Sequence, residues 1–224
     1  MRRFVRENSL SLFFALLFMG ALVGQAFAGL AEYNNEQMSS HLASVSMGEY
    51  VTSADFAVDV VENWQSEYLQ FLLYIFLTVW LVQRGSPESK ELDQAGPESD
   101  KQQKVGEYAE DASPRLAAIG GLATRLYSRS LGIVMSVIFL ASWTAQSIAG
   151  WAAFNEQRIS QLQDPLAWLG YIGSAEFWSR SLQNWQSEFL AIGSMAVLSI
   201  YLRQRGSPES KPTGAAHEST GVSG

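Results

Sequence analysis

The chain contains no cysteine. That excludes disulfides, thiol catalysis and Cys-based metal sites, while leaving the compartment open. Histidine is nearly absent too: His41 and His217 stand alone, and no metal-binding pair, nucleophile elbow or phosphate loop accompanies them. No enzyme activity, cofactor or metal is therefore expected. A formal net charge of −7 makes nucleic acid a poor partner. Charge is also unevenly spread. Residues 8–31 and 130–155 carry none, and neither do 68–83 or 189–202. Long uncharged stretches separated by charged, Pro- and Ser-containing ones are a membrane pattern.

What the chain does have is a repeat. Asn63-Trp64-Gln65-Ser66-Glu67 recurs as Asn184-Trp185-Gln186-Ser187-Glu188, and Gln83-Arg84-Gly85-Ser86-Pro87-Glu88-Ser89-Lys90 recurs as Gln204-Arg205-Gly206-Ser207-Pro208-Glu209-Ser210-Lys211, both 121 positions on. The same offset matches Ser53-Ala54 with Ser174-Ala175, Gln25 with Gln146, and Ala28-Gly29 with Ala149-Gly150. Asn35-Glu36-Gln37 matches Asn155-Glu156-Gln157 after a one-residue slip. Blocks in one register are the signature of internal duplication. The apolar stretches between them have diverged, so the retained blocks read as constrained.

A bilayer core of about 30 Å needs roughly 20 helical residues. The expected fold is all-α: an integral membrane four-helix bundle from two tandem two-helix repeats. Residues 1–90 form the first hairpin, with spans at 9–29 and 64–83. Residues 91–124 form a cytoplasmic, acidic, flexible linker. Residues 125–211 form the second hairpin, with spans at 131–151 and 185–203, and 212–224 form a disordered tail. Trp64 and Trp80, and Trp185 and Tyr201, mark the interfaces of the shorter spans, with Arg84 and Arg205 as anchors beside them. Gly85-Ser86-Pro87 is expected to end the second helix, and Gly29 and Gly150 the first and third. Gly20 and Gly24 are expected to let helices approach closely. Residues 1–29 also resemble a signal peptide, but the internal counterpart at 130–150 favours an uncleaved span. Thirteen of the 15 Lys and Arg residues fall before helix one, between helices two and three, or after helix four. Both termini and the linker should therefore be cytoplasmic.

Ionisable side chains at membrane depth are rare and face the bundle interior or a water-filled cavity. Glu67 and Glu188 each sit one turn inside a Trp, and Gln25 and Gln146 lie at similar depth. Two symmetric clusters are expected: Gln25 with Glu67 and Gln146 with Glu188, with Asn63, Ser66, Asn184 and Ser187 nearby. Pairing across halves fits the sequence equally. Glu62 serves as the exposed comparison. Such groups can be bundle glue at about 0.6 kcal/mol each, or part of an ion, proton or solute pathway. Glu36 and Glu156 could join an outer polar cluster.

Arg6-Glu7-Asn8, Gly24-Gln25-Ala26, the repeated pentapeptide and the repeated octapeptide together resemble an uncharacterised family of bacterial multi-pass membrane proteins, a domain of unknown function. The resemblance implies the bacterial cytoplasmic membrane and supplies no activity or ligand. The leading expectation is a structural or interaction protein whose partner is the lipid bilayer. The alternative is a small channel or transporter using the paired carboxylates, and since four helices leave little room for a pathway, it expects a homo-oligomer.

Overall fold

The computed structural model describes residues 2–223. Met1, Gly224 and the Arg2 side chain, all within the expected segments, lie outside the described residues. Among the described residues the secondary structure is helical, with no strand. In chain order the helices are α1 (Arg2–Glu7), α2 (Ser9–Ser39), α3 (Met47–Val51), α4 (Ala54–Leu77), α5 (Arg115–Ala118), α6 (Gly121–Tyr127), α7 (Ser130–Ser160), α8 (Trp168–Ile172) and α9 (Ala175–Tyr201). The linker also holds 3-10 turns at Leu92–Gln94 and Gly106–Tyr108.

Two helices, α2 and α7, are long and apolar enough to cross a membrane. The shorter second helix of each half does not meet that standard, and α4 stops at Leu77 rather than reaching Gln83. The reason is local. In a continuing helix Gln83 N–H would donate to Val79 O. Instead Gln83 N–H donates to Ser89 Oγ at 2.8 Å, and Val79 O accepts from Gly96 N at 2.7 Å. Gly85 therefore does not end α4, but it holds a left-handed turn (φ +86°) further on, as Gly206 does (φ +83°).

The chain divides into two compact units. The first comprises Met1–Val60 and Gln146–Tyr171. Here positions 121 apart repeat one another's geometry. Asn34 clasps Val45, its Nδ2 donating to Val45 O (3.1 Å) and its Oδ1 accepting from Val45 N (2.7 Å). Asn155 clasps Leu166 the same way, at 3.0 and 2.8 Å. The structurally equivalent asparagine is thus Asn34, in unbroken register, and not Asn35 with its one-residue slip. Both long helices end in a Schellman motif. His41 and Leu162 are left-handed (each φ 59°), and Leu42 N and Gln163 N reach back to Gln37 O and Arg158 O at 2.8 Å.

Gly29 and Gly150 do not end helices; both lie inside them. They admit buried tyrosines. A Cβ at Gly29 would come within 2.9 Å of Tyr50 Cζ and closer still to its hydroxyl; at Gly150 the distance to Tyr171 Cζ would be 3.1 Å. Tyr50 and Tyr171 are 3% and 1% exposed. By contrast nothing among the described residues lies within 4 Å of a Cβ built on Gly20 or Gly24, so those glycines serve no close approach among them.

The second unit comprises Val61–Ala145 and Ile172–Gly224. An aromatic stack on α7 and α9 forms part of its core: Trp143 lies 5.5 Å from Phe139, 6.1 Å from Trp178 and 5.7 Å from Trp185, centroid to centroid. Close approach of α4 to α7 is allowed by Gly132, where a Cβ would meet Phe76 Cζ at 3.0 Å. Ser174 caps α9, accepting from Phe177 N at 3.3 Å; in the first unit Ser53 accepts from Phe56 N at 3.2 Å at the start of α4.

Candidate functional site

The repeated pentapeptides lie one on α4 and one on α9, and they meet in the second unit. Trp185 Nε1 donates to Gln65 Oε1 at 2.9 Å, and Gln65 is fully buried. Glu67 and Glu188 lie close enough to repel each other. Glu67 itself is exposed and Glu188 half-buried. Ser66 is buried and donates to Asn63 O (3.0 Å); Ser187 is exposed and donates to Asn184 O (2.8 Å), while Asn184 Nδ2 donates to Arg180 O (3.1 Å). The side chain that the sequence passed over is Gln65. Both residues before it, Asn63 and Trp64, are exposed, and its burial depends on Trp185, 120 residues away, which no local signal marks.

Glu62 is not an exposed residue. Its side chain is 17% exposed and accepts from Arg180 Nε at 2.7 Å. Gln65 Nε2, Trp143 Nε1 and Ser181 Oγ are buried without a partner among the described residues.

In the first unit, Gln146 is buried, with Oε1 unpartnered among the described residues, and Gln25 is half-buried. Glu156 stands near Asp55 and Tyr33. Burial, then the Asp55 carboxylate, pushes the Glu156 carboxyl up. Burial and Asp55 push the Tyr33 hydroxyl up in the same way, with Glu156 and Glu36 adding smaller contributions. This gathers the outer acids of both repeats around one tyrosine.

The repeated octapeptides fold alike. Gln83 N and Gln204 N donate to Ser89 Oγ and Ser210 Oγ at 2.8 and 2.9 Å. Lys90 Nζ donates to Gly96 O at 3.1 Å, and Lys211 Nζ donates to the equivalent His217 O at 2.9 Å. Lys90 also pairs with Glu98 at 2.9 Å. Lys211 is only 1% exposed, and its ammonium further contacts the carbonyls of Gly85 (2.6 Å), Ala216 (3.2 Å) and Ser219 (3.3 Å). An ammonium has three donors, so four oxygens share them. Burial, then Arg203, pushes this ammonium below its ordinary value.

Three further contacts hold the tail on the first loop. Arg84 pairs with Glu218 at 3.1 Å, Gly85 N donates to Thr220 Oγ1 at 2.9 Å, and Gly221 N donates to Ser86 O at 3.0 Å. Tyr74 donates to Glu88, and Glu88 shares a hydrogen bond with Glu209, its own repeat counterpart. That bond, then the Glu88 charge, pushes the Glu209 carboxyl up. Among the anchor residues, Trp64, Trp80 and Tyr201 are exposed at 40, 56 and 61%; Arg84 and Arg205 are also exposed, and Trp185 is half-buried.

A family described as "Domain of unknown function (DUF6766)" matches residues 1–222. No curated protein and no solved structure matches the chain.

Proposed function

The chain belongs to the DUF6766 family, and from that premise we propose that it is a multi-pass protein of a bacterial inner membrane, serving as a scaffold or interaction protein. No catalytic step is part of this reading. The observation that carries it is α2. None of its most apolar 18-residue stretch is buried. Leu10, Phe13, Phe14, Leu16, Phe18 and Phe27 are exposed at 47–72%. Water does not tolerate an apolar surface of that extent, whereas lipid does. Four crossings would come from a duplicated hairpin, with α4 and α9 completing the bundle and both termini and the linker cytoplasmic. The geometry repeated at an offset of 121 supports the duplication.

The cysteine-free chain makes the test direct. Single cysteines at Ser40, Ser99, Gln163 and Ser219 would be probed in whole cells with an impermeant maleimide. Labelling at 40 and 163, with protection at 99 and 219 until lysis, is expected. Labelling at 99 in intact cells would mean that only α2 and α7 cross. Release of the chain by alkaline carbonate would end the membrane reading.

A second reading, an oligomeric channel or transporter, is favoured by one observation: Glu67 and Glu188 approach each other at repeated positions. Liposome flux of protons or cations that falls in Glu67→Gln and Glu188→Gln would support it, and equal flux in wild type, variants and empty liposomes would dismiss it.

A further inference from the structure

A cavity of about 800 Å³ opens in the second unit, between the ends of α4 and α7 and the linker. Its lining combines apolar side chains, among them Phe76, Val79, Trp80 and Leu131, with the exposed Arg125 and Arg129. We propose that this cavity is a headgroup site for an anionic phospholipid, with the phosphate held by Arg125 and Arg129 and the acyl chains leaving along Trp80 and Leu131. The proposal rests on the membrane reading above.

Size comes first. Small-molecule sites occupy about 300–1,000 Å³, and this cavity falls within that range. Charge comes next. Five ionisable residues line it: Lys90, Arg125, Arg129, Glu98 and Asp100. Lys90 and Glu98 neutralise each other at 2.9 Å. Two guanidiniums and one carboxylate remain, leaving one net positive charge in the lining. Neither Arg125 nor Arg129 makes an ion pair among the described residues. Guanidinium forks suit phosphate oxygens.

The surroundings favour a lipid over a free anion. Trp80 and Leu131 are 56 and 57% exposed, so the apolar part of the lining continues onto the outer surface. Along α5 and α6, Leu116, Ile119, Leu122 and Leu126 are also exposed, interleaved with Arg115 and Arg125. Apolar side chains alternating with cations on short helices are the composition of a segment lying in a headgroup layer. A free phosphate would use the cations and leave the apolar lining without a role.

The test uses purified full-length chain inserted into nanodiscs of equal phosphatidylglycerol and phosphatidylcholine. Lipid retained after detergent extraction is counted by native mass spectrometry. Wild type should retain phosphatidylglycerol selectively. Arg125→Ala with Arg129→Ala should lower that preference about 25-fold, roughly fivefold per guanidinium. Arg125→Lys with Arg129→Lys should keep most of it, and Asp100→Asn should raise it. Equal retention by inserted wild type and inserted double alanine variant would overturn the site. Displacement of the lipid by millimolar inorganic phosphate would also overturn it, by showing that a free anion is the ligand. A chain absent from the nanodisc fraction would sink the membrane reading and this site together. An inserted chain without lipid preference sinks the site alone.

Discussion

Gly150→Ala isolates one packing contact. In a helix interior alanine is better than glycine by about 1 kcal/mol, so propensity alone predicts a gain. The structure predicts the opposite. The new methyl would lie 3.1 Å from Tyr171 Cζ and 3.3 Å from Val58 Cγ2, and nearer still to the tyrosine hydroxyl. Both neighbours are 1% exposed, so neither can move into solvent. Forcing a methyl into such a site costs about 1–3 kcal/mol. Because the hydroxyl oxygen sits inside contact distance, the upper part of that range applies, and a net loss of about 2 kcal/mol is expected. For a chain of this size that lowers the melting temperature by about 4–8 °C.

The assay is thermal unfolding of purified protein in detergent, with Gly20→Ala as control because nothing approaches a Cβ there. The control should melt at or above wild type. A double-mutant cycle with Tyr171→Phe removes the nearest atom, so the cost of Gly150→Ala should shrink by about 1 kcal/mol in that background. An unchanged or raised melting temperature for Gly150→Ala, with no coupling to Tyr171, would refute the packing argument.

Leu162 is 97% exposed and held at φ 59°; relieving a left-handed Cβ clash, Leu162→Gly should raise stability by about 1 kcal/mol in the same melt. Glu62→Gln, which strips the Arg180 guanidinium of its carboxylate, should cost about 1–3 kcal/mol, whereas Glu67→Gln, which relieves repulsion with Glu188, should cost nothing; the reverse order would contradict both assignments. Glu209 has its carboxyl raised by the Glu88 hydrogen bond, so the folded state holds that proton more tightly than the unfolded chain. The bond between the loops should be fully present below the ordinary carboxylate value and fade as pH rises through the raised one, and Glu209→Gln should remove that dependence in hydrogen exchange across 204–211. Gly85→Ala should free residues 217–221 to proteolysis, since its Cβ would meet His217 O and Ile200 Cγ2; Gly206→Ala, with nothing within 4 Å, should pay only the left-handed strain of about 1–2 kcal/mol and leave the tail in place.

What could be read in advance was what periodicity and identity encode. The helical class followed from long apolar runs, and the Ser53 and Ser174 helix starts from capping chemistry that needs only local residues. What could not be read depended on partners distant in sequence. Gly29 looks like a helix stop until Tyr50 is placed against it. Glu62 looks solvated until Arg180 arrives from 118 residues away. Gln83 closes an uncharged apolar run that reads as helix, yet its amide is taken by Ser89. The Asn34 clasp was misregistered because Asn35 offers a longer run of identities with Asn155-Glu156-Gln157, while hydrogen bonding selects the unbroken offset.

The two octapeptides carry the same eight residues in different surroundings, and the difference separates what the motif is for from what it happens to touch. The first copy is covered: Arg84, Gly85 and Ser86 all bind the tail. The second is open around Gly206. Tail contact therefore cannot be the shared reason for keeping Arg, Gly and Ser in both. What both copies do share is internal: the serine that takes the glutamine amide, the glycine at positive φ, and the lysine that returns to a carbonyl six residues on. Each of these bonds lies within a few residues of its own helix exit, whatever else the lysine also touches. Such an exit can be copied along with its helix and still fold in a new setting. The diverged apolar stretches carry no such local rule, because an apolar helix face asks only for side chains of sufficient apolarity and fitting size.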